Sequence, residues 1–191
     1  RIAHWDRIAQ SEAAPSPFAS EYYRRLAQVY RFLIPGGSRV LDVGSGNGDL
    51  LAALQPRQGV GVDFSAQMVR RASARHRSLN FVHADAHDLS GLNGPFDAIV
   101  LSDLLNDVFD VQAVLGEVRK LCGPKTRIVL NVYSHLWEGP LRLAAAMRLA
   151  RPKLEQNWLT VDDVRGLLSL AGFSIVDRRQ DVLLPMPLPV V

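Results

Sequence analysis

Val40-Leu41-Asp42-Val43-Gly44-Ser45-Gly46-Asn47-Gly48-Asp49-Leu50 decides how this chain folds. An apolar strand ends in an acid, runs into three alternating glycines and passes at once into a helix-forming stretch. Glycine at these positions lets the backbone turn sharply and lets a ligand lie almost against it, because no Cβ intrudes. Downstream, Gly59-Val60-Gly61-Val62 forms a second apolar run that ends in Asp63. A glycine loop followed by an acid at the tip of the next strand is how α/β proteins hold an adenosine ribose.

Outward from this loop, strands alternate with single helices. Residues 1–36 are expected to form an N-terminal helical cap: Tyr22, Leu26, Val29, Tyr30 and Leu33 recur at three- and four-residue spacing, and Pro35-Gly36-Gly37 stops the segment. Strands are expected at Arg39–Val43, Gln58–Asp63, Leu79–His83, Phe96–Ser102 and Thr126–Tyr133, with a sixth beginning at Phe173–Asp177. Between them lie helices over Gly48–Leu54, over about residues 66–77 capped by Ser65, and along the stripe Val111, Val114, Leu115, Val118, Leu121, Cys122. Gly123-Pro124 closes the last of these. Thr160 caps a further helix carrying Val161, Val164, Leu167, Leu168 and Ala171, and Gly172 ends it. This alternation predicts a doubly wound α/β fold, a Rossmann-like and mostly parallel sheet covered on both faces. The core spans 37–191, with a helical insertion at about 137–158 whose apolar residues include Leu141, Ala144, Ala145 and Met147. That insertion is expected over the ligand end of the sheet.

Composition agrees with a single globular domain. The 191 residues are 48% hydrophobic and 21% charged, and 22 basic against 19 acidic residues leave a formal charge of +3. The Arg70, Arg71, Arg75, Arg77 cluster reads as a solvated helix face, so nucleic acid is not expected as a partner. Cys122 is the sole cysteine, which excludes an internal disulfide and is expected to be a buried, inert thiol. The most apolar stretch, Leu141 to Ala150, is interrupted by Arg142 and Arg148, so no membrane span is expected and the compartment is expected to be cytoplasmic. The chain starts at Arg1 rather than Met, and flanking sequence, even an additional domain, is expected outside it.

These residues resemble the class I S-adenosylmethionine-dependent methyltransferases over about residues 20–180. Asp42-Val43-Gly44-Ser45-Gly46-Asn47-Gly48 matches the family's acid-x-Gly-x-Gly-x-Gly signature without departure. The resemblance implies S-adenosyl-L-methionine as cofactor and S-adenosyl-L-homocysteine as product. It places the loop (Asp42, Gly44, Ser45, Gly46, Gly48) beneath the donor's methionine half, and the two ribose hydroxyls on Asp63. It places Phe64 and Met68 against the adenine, and Asp85 with the Ala86 backbone amide at the adenine edge. Ser102 and Asp103 would border the methionine moiety and the transferring methyl, and His4-Trp5 with Tyr22-Tyr23 would cover the cofactor. Family members finish with an antiparallel strand seven beside strand five. Only Asp181 to Val191 remain for it, with prolines at 185, 187 and 189, so that strand is expected to be missing or displaced.

Methyl transfer is an in-line displacement in which alignment is the larger contribution and a base the smaller. His135, just past strand five, and Asp103, past strand four, are the catalytic candidates. Strand four leads into Ser102-Asp103-Leu104-Leu105-Asn106 rather than an Asn/Asp-Pro-Pro-aromatic tetrad, which disfavours methylation of exocyclic or amide nitrogens in DNA and proteins. Strand five leads into Asn131-Val132-Tyr133-Ser134-His135 without an acid pair, so no metal is expected. The expectation is methyl transfer to a small-molecule acceptor at oxygen, the apolar side of the insertion suiting an apolar or lipid-linked acceptor. Two alternatives stand beside it. One is a catalytically silent domain that binds S-adenosylmethionine or S-adenosylhomocysteine or serves in docking. The other is a nicotinamide-dependent oxidoreductase, whose fingerprint wants glycine where this chain has Asp49.

Overall fold

The computed structural model of the chain describes residues 17–132 and 157–179. In chain order the elements are α1 (Pro17–Leu33), β1 (Arg39–Val43), α2 (Asp49–Ala53), β2 (Gln58–Asp63), α3 (Ala66–Arg75), β3 (Asn80–His83), β4 (Phe96–Ser102), α4 (Val111–Lys120), β5 (Cys122–Asn131) and α5 (Val161–Leu170). The five strands lie in the order β3-β2-β1-β4-β5, and every neighbouring pair is parallel. The chain winds outward from β1 to β3, then returns to place β4 on the other side of β1. That reversal opens a crevice above the carboxyl ends of β1 and β4, where doubly wound folds take ligands.

Strand periodicity sorts the core into two layers. Val40, Ala98 and Val100 face the layer built by Leu26, Tyr30 and Ile34 of the α1 segment, Leu51 of α2 and Ala72 of α3. Leu41, Val43, Ile99 and Leu101 face the opposite layer, with Val114, Leu115 and Val118 of α4 and Val164 and Leu168 of α5. Each buried aliphatic side chain contributes about 2 kcal/mol, which is why strands bearing apolar residues on both faces settle at the centre. Helix α1 thus adds Leu26 and Tyr30 to this core. Residues 1–16 of the expected N-terminal cap lie outside the described residues.

Caps fix where helices begin. Ser65 Oγ accepts from the Met68 amide at 3.2 Å, and Asp110 Oδ1 accepts from the Ala113 amide at 3.0 Å. Thr160 and Asp163 exchange side-chain and backbone bonds in a capping box. Gly172, at φ +76, ends α5 as expected.

Two expectations need correction. β5 begins at Cys122, not Thr126, because Phe96 pairs with Cys122 before the register jumps to Ala98 opposite Arg127. The residues between bulge out, held by Thr126 Oγ1, which donates to the Phe96 carbonyl at 2.6 Å and accepts from the Gly123 amide at 2.8 Å. Cys122 thus opens a strand, half-buried, its thiol donating to the Val118 carbonyl at 3.2 Å and pushed up by burial. The second correction is the sixth strand: residues 173–179 carry no ladder. Phe173 packs beneath the Arg119 guanidinium, but Val176 is 97% exposed. An extended segment becomes a strand only beside a neighbour, and among the described residues β5 pairs only with β4. No helix of the described residues is long and apolar enough to cross a membrane. The segment expected as strand seven and residues 137–156 of the expected insertion lie outside the described residues.

Candidate cofactor site

The loop after β1 is a backbone device. Gly44, Gly46 and Gly48 all adopt left-handed φ, at +78, +51 and +74. The amides of Gly44 and Ser45 both donate to the Val62 carbonyl, at 2.8 and 2.9 Å, and tie the loop to β2. The three glycines are needed for different reasons. A Cβ on Gly44 would stand 2.8 Å from Leu104 Cδ1, and one on Gly48 would run into the Phe81 ring. A Cβ on Gly46 would meet nothing within 4 Å, so Gly46 is the one whose bare face borders open space. Two of the three have no room for a Cβ, and the third faces open space.

Asp63, 7% exposed, turns its carboxylate onto this loop. Oδ2 accepts from the Gly46 amide at 2.9 Å and Oδ1 from the Ser65 amide at 2.9 Å. The acid at the tip of β2 is thus aimed by the turn that follows it. Asp42, 2% exposed inside β1, has its carboxyl pushed up to about 7, first by burial and then by the charge of Asp63. Ser45 Oγ and Asn47 Oδ1, both in the loop, are buried without hydrogen-bond partners. Buried polar atoms are rarely left unmatched. These two oxygens, the open face of Gly46 and the Asp63 carboxylate therefore fit a ligand rich in hydroxyl and ammonium donors, as S-adenosylmethionine is.

The adenine-edge candidates are arranged differently. Asp85, 62% exposed, accepts through Oδ1 from the His87 amide at 2.9 Å and from His87 Nδ1 at 2.6 Å. The Asp110 amide donates to His87 Nε2 at 3.1 Å, so the proton of the ring sits on Nδ1. Partial burial opposes ionisation of Asp85, but the bonds from His87 outweigh it and hold the carboxyl below its usual value. Ala86 is buried in the core. Met68 is buried behind the Ser65 cap, while Phe64 is half-buried and its carbonyl meets His83 Nε2 at 3.0 Å. Asp42, the glycine loop and Asp63 form one constellation; Asp85 engages its own turn.

At the tips of β4 and β5 a side-chain web appears that the sequence does not announce. Tyr22 OH donates to Asp103 Oδ1 at 2.8 Å and lies 3.1 Å from Oδ2. Asn131, the last residue of β5, donates from Nδ2 to Asp103 Oδ1 and to Tyr22 OH, the latter at 3.2 Å. Its Oδ1 accepts from Tyr30 OH at 2.8 Å and from the Asp103 amide at 3.1 Å. Burial raises the Tyr30 phenol, opposed by its bond to Ser102. Tyr23 stacks edge-on with Tyr22; the residue is 53% exposed, but desolvation at its hydroxyl end and the charges of Asp103, Asp49 and Asp107 push that hydroxyl up to about 12. Asp103 itself holds φ +55, a conformation costing a non-glycine residue about 1–2 kcal/mol. Strain of this kind gathers at working sites. Because Leu104 abuts Gly44, the web adjoins the glycine loop.

The other catalytic candidate, His135, lies outside the described residues, as do His4 and Trp5. The residues on either side of 133–156 are placed. Val132 follows β5, and Asn157 is clasped to the loop after β4: its amide donates to the Asn106 carbonyl at 2.7 Å, its side chain to Val108 O at 2.7 Å, and Asn106 Nδ2 donates back to its carbonyl at 2.7 Å. Both roots stand at the ligand end of the sheet.

Residues 18–178 match the model of the methyltransferase domain family. A demethylmenaquinone methyltransferase of Thermus thermophilus is 34% identical over 100 residues, which is 48% of this chain and 46% of that protein. The O-methyltransferase cnsE of Penicillium expansum is 28% identical over 152 residues, 74% of this chain and 54% of that protein. The chain spans about half the length of these curated relatives. Among solved structures, the magnesium protoporphyrin IX methyltransferase ChlM of Synechocystis PCC 6803, with bound S-adenosylhomocysteine, has a TM-score of 0.67 at 21% identity, covering 92% of this chain and 84% of that one. The parallel α/β sheet with its glycine loop and a family match over most of the sequence agree: the chain belongs to the S-adenosylmethionine-dependent methyltransferase family, with S-adenosylmethionine as its cofactor.

Proposed function

We propose that this chain transfers a methyl group from S-adenosylmethionine to the oxygen of a small, largely apolar acceptor. The observation that carries the reading is the Asp63 carboxylate held against the Gly46 amide beside an open loop face. From there Asp63 would take the ribose hydroxyls, with Ser45 and Asn47 offering their unpartnered oxygens to donor groups nearby. Phe64 and Met68 would flank the base, and Asp85 and Ala86 would meet its edge once the Asp85–His87 turn admits it. Bound there, the donor supplies an electrophilic methyl on a sulfonium, and the bond that breaks leaves its electron pair on a neutral thioether.

The protein's part is alignment, worth about 7–11 kcal/mol when the reacting atoms are held at contact distance. An oxygen acceptor must also shed its proton. Asp103 is a weak candidate for that task because its carboxylate is already committed to Tyr22 and Asn131. Oxygen as the acceptor atom is supported by the fungal O-methyltransferase relative, and an apolar ring acceptor by the quinone-named relatives. Phe109, 89% exposed on the loop after β4, is suited to meet such a ring.

The test is mass spectrometry after incubation with S-adenosylmethionine and three acceptors: a simple phenol, a catechol and a demethylated naphthoquinol. An O-methyl ether is the expected product. Methylation at ring carbon alone would move the assignment to carbon. Binding of S-adenosylhomocysteine without turnover on any acceptor would favour a silent binding domain.

A further inference from the structure

We propose that Asn131 is a positioning residue for the methyl donor: it fixes the Asp103 carboxylate as an immobile negative charge facing the donor's sulfonium. The proposal rests on the donor lying over the glycine loop as described above.

The geometry of Asn131 is over-determined. Its carbonyl oxygen accepts from Tyr30 OH and from the Asp103 backbone amide, and its NH2 donates to the Asp103 carboxylate and to Tyr22 OH. The amide cannot be turned over, since its oxygen would then oppose a carboxylate and its NH2 a backbone N–H. One side chain thus grips both the backbone and the carboxylate of Asp103, and holds that residue at φ +55. It also links two turns of α1 to the tips of two strands. No other type of side chain of this size presents two acceptor lone pairs and two donors in one plane.

What the grip accomplishes follows from charge. Asp103 receives hydrogen bonds from a phenol and an amide, which a carboxylate accepts and which leave it poorly placed to collect a proton from an acceptor. Leu104, the next residue, abuts Gly44, so Asp103 stands at the Gly44 end of the glycine loop. A cation lying along that loop therefore has the Asp103 carboxylate at one end of its track. S-adenosylmethionine carries a sulfonium charge that S-adenosylhomocysteine lacks, so a fixed carboxylate there should discriminate between the two.

The experiment measures dissociation constants of both nucleosides by calorimetry for the native chain, Asn131→Ala, Asp103→Asn, the double variant and Tyr30→Phe. Asn131→Ala and Asp103→Asn should each weaken S-adenosylmethionine about tenfold more than S-adenosylhomocysteine, the scale of one hydrogen bond to a charged group. The double variant should be no worse than Asp103→Asn alone. Tyr30→Phe, which keeps the core volume and removes one bond to Asn131, should shift the same ratio by a smaller factor; it carries the test should Asn131→Ala fail to fold. Equal losses for both nucleosides, or losses that add in the double variant, would reduce Asn131 to a structural role and overturn the proposal. A native chain that binds neither nucleoside would instead remove the donor reading beneath it.

Discussion

The loop after β1 and the tips of β4 and β5 are neighbours, yet they are made from different materials. At the loop, position is set by backbone: three left-handed glycines, two amides on the Val62 carbonyl, one amide on Asp63. At the strand tips, position is set by side chains from three separate stretches of chain, Tyr22 and Tyr30, Asp103, and Asn131. Left-handed backbone is free for glycine and costs Asp103 about 1–2 kcal/mol. A backbone-built site has few parts that can be exchanged without breaking it. A side-chain web can be altered one group at a time, so its geometry can be tuned without unmaking the fold.

Three substitutions press on that difference. The largest effect is expected from Asp63→Ala, which removes the carboxylate proposed to accept from the two ribose hydroxyls. S-adenosylhomocysteine affinity should fall about a thousandfold, or about 4 kcal/mol, while a thermal melt reports a folded protein. Retention of native affinity would mean that the nucleoside does not use the loop. Next comes a pair of glycines. Gly48→Ala should cost about 3 kcal/mol in urea unfolding, combining the left-handed penalty with a methyl driven into the Phe81 ring. Gly46→Ala should cost only about 1 kcal/mol of stability, since its Cβ meets open space, and yet should abolish nucleoside binding. If both alanines acted alike, the division between packing and ligand glycines would fall.

The smallest effect concerns Asp42. Its carboxyl is raised from 3.8 to about 7 in the folded chain, so folding favours the protonated form. Below about pH 4 both folded and unfolded chains hold the proton and the residue imposes no penalty. As pH rises from about 4 to about 7 the unfolded chain releases this proton while the buried group keeps it, and native stability declines; above 7 the folded chain releases it too and the loss levels off. Asp42→Asn escapes this. Its stability advantage over the native chain should therefore widen by at least about 1 kcal/mol between pH 5 and pH 8 in the absence of nucleoside. A constant gap would show that Asp42 ionises as readily folded as unfolded.

How much of this was legible in the sequence follows the same division. β1, β2 and β4 begin and end where the apolar runs and their glycine, proline and acid boundaries place them, because a buried parallel strand is a local pattern. The glycine loop and Asp63 were legible for the same reason. Asn131 was not, since its partners stand 28, 101 and 109 residues away and nothing local marks them. Its only signal was a lone amide ending the apolar run Ile128-Val129-Leu130. Asp85 illustrates a local competitor: an acid two residues before His87 closes its own turn, and strand order alone does not reveal that. The expected sixth strand failed because the ability to extend is a property of a segment, while a strand is a property of a pair.

The Asn106–Asn157 clasp carries a practical consequence. Val132, just past β5, and Asn157, tied to the loop after β4, are both pinned at the same rim of the sheet. Lengthening a tether between fixed ends is cheap, about 0.6 kcal/mol for each doubling. A change in the number of residues between these two positions therefore costs the fold little, so long as Asn157 keeps its bonds as the latch.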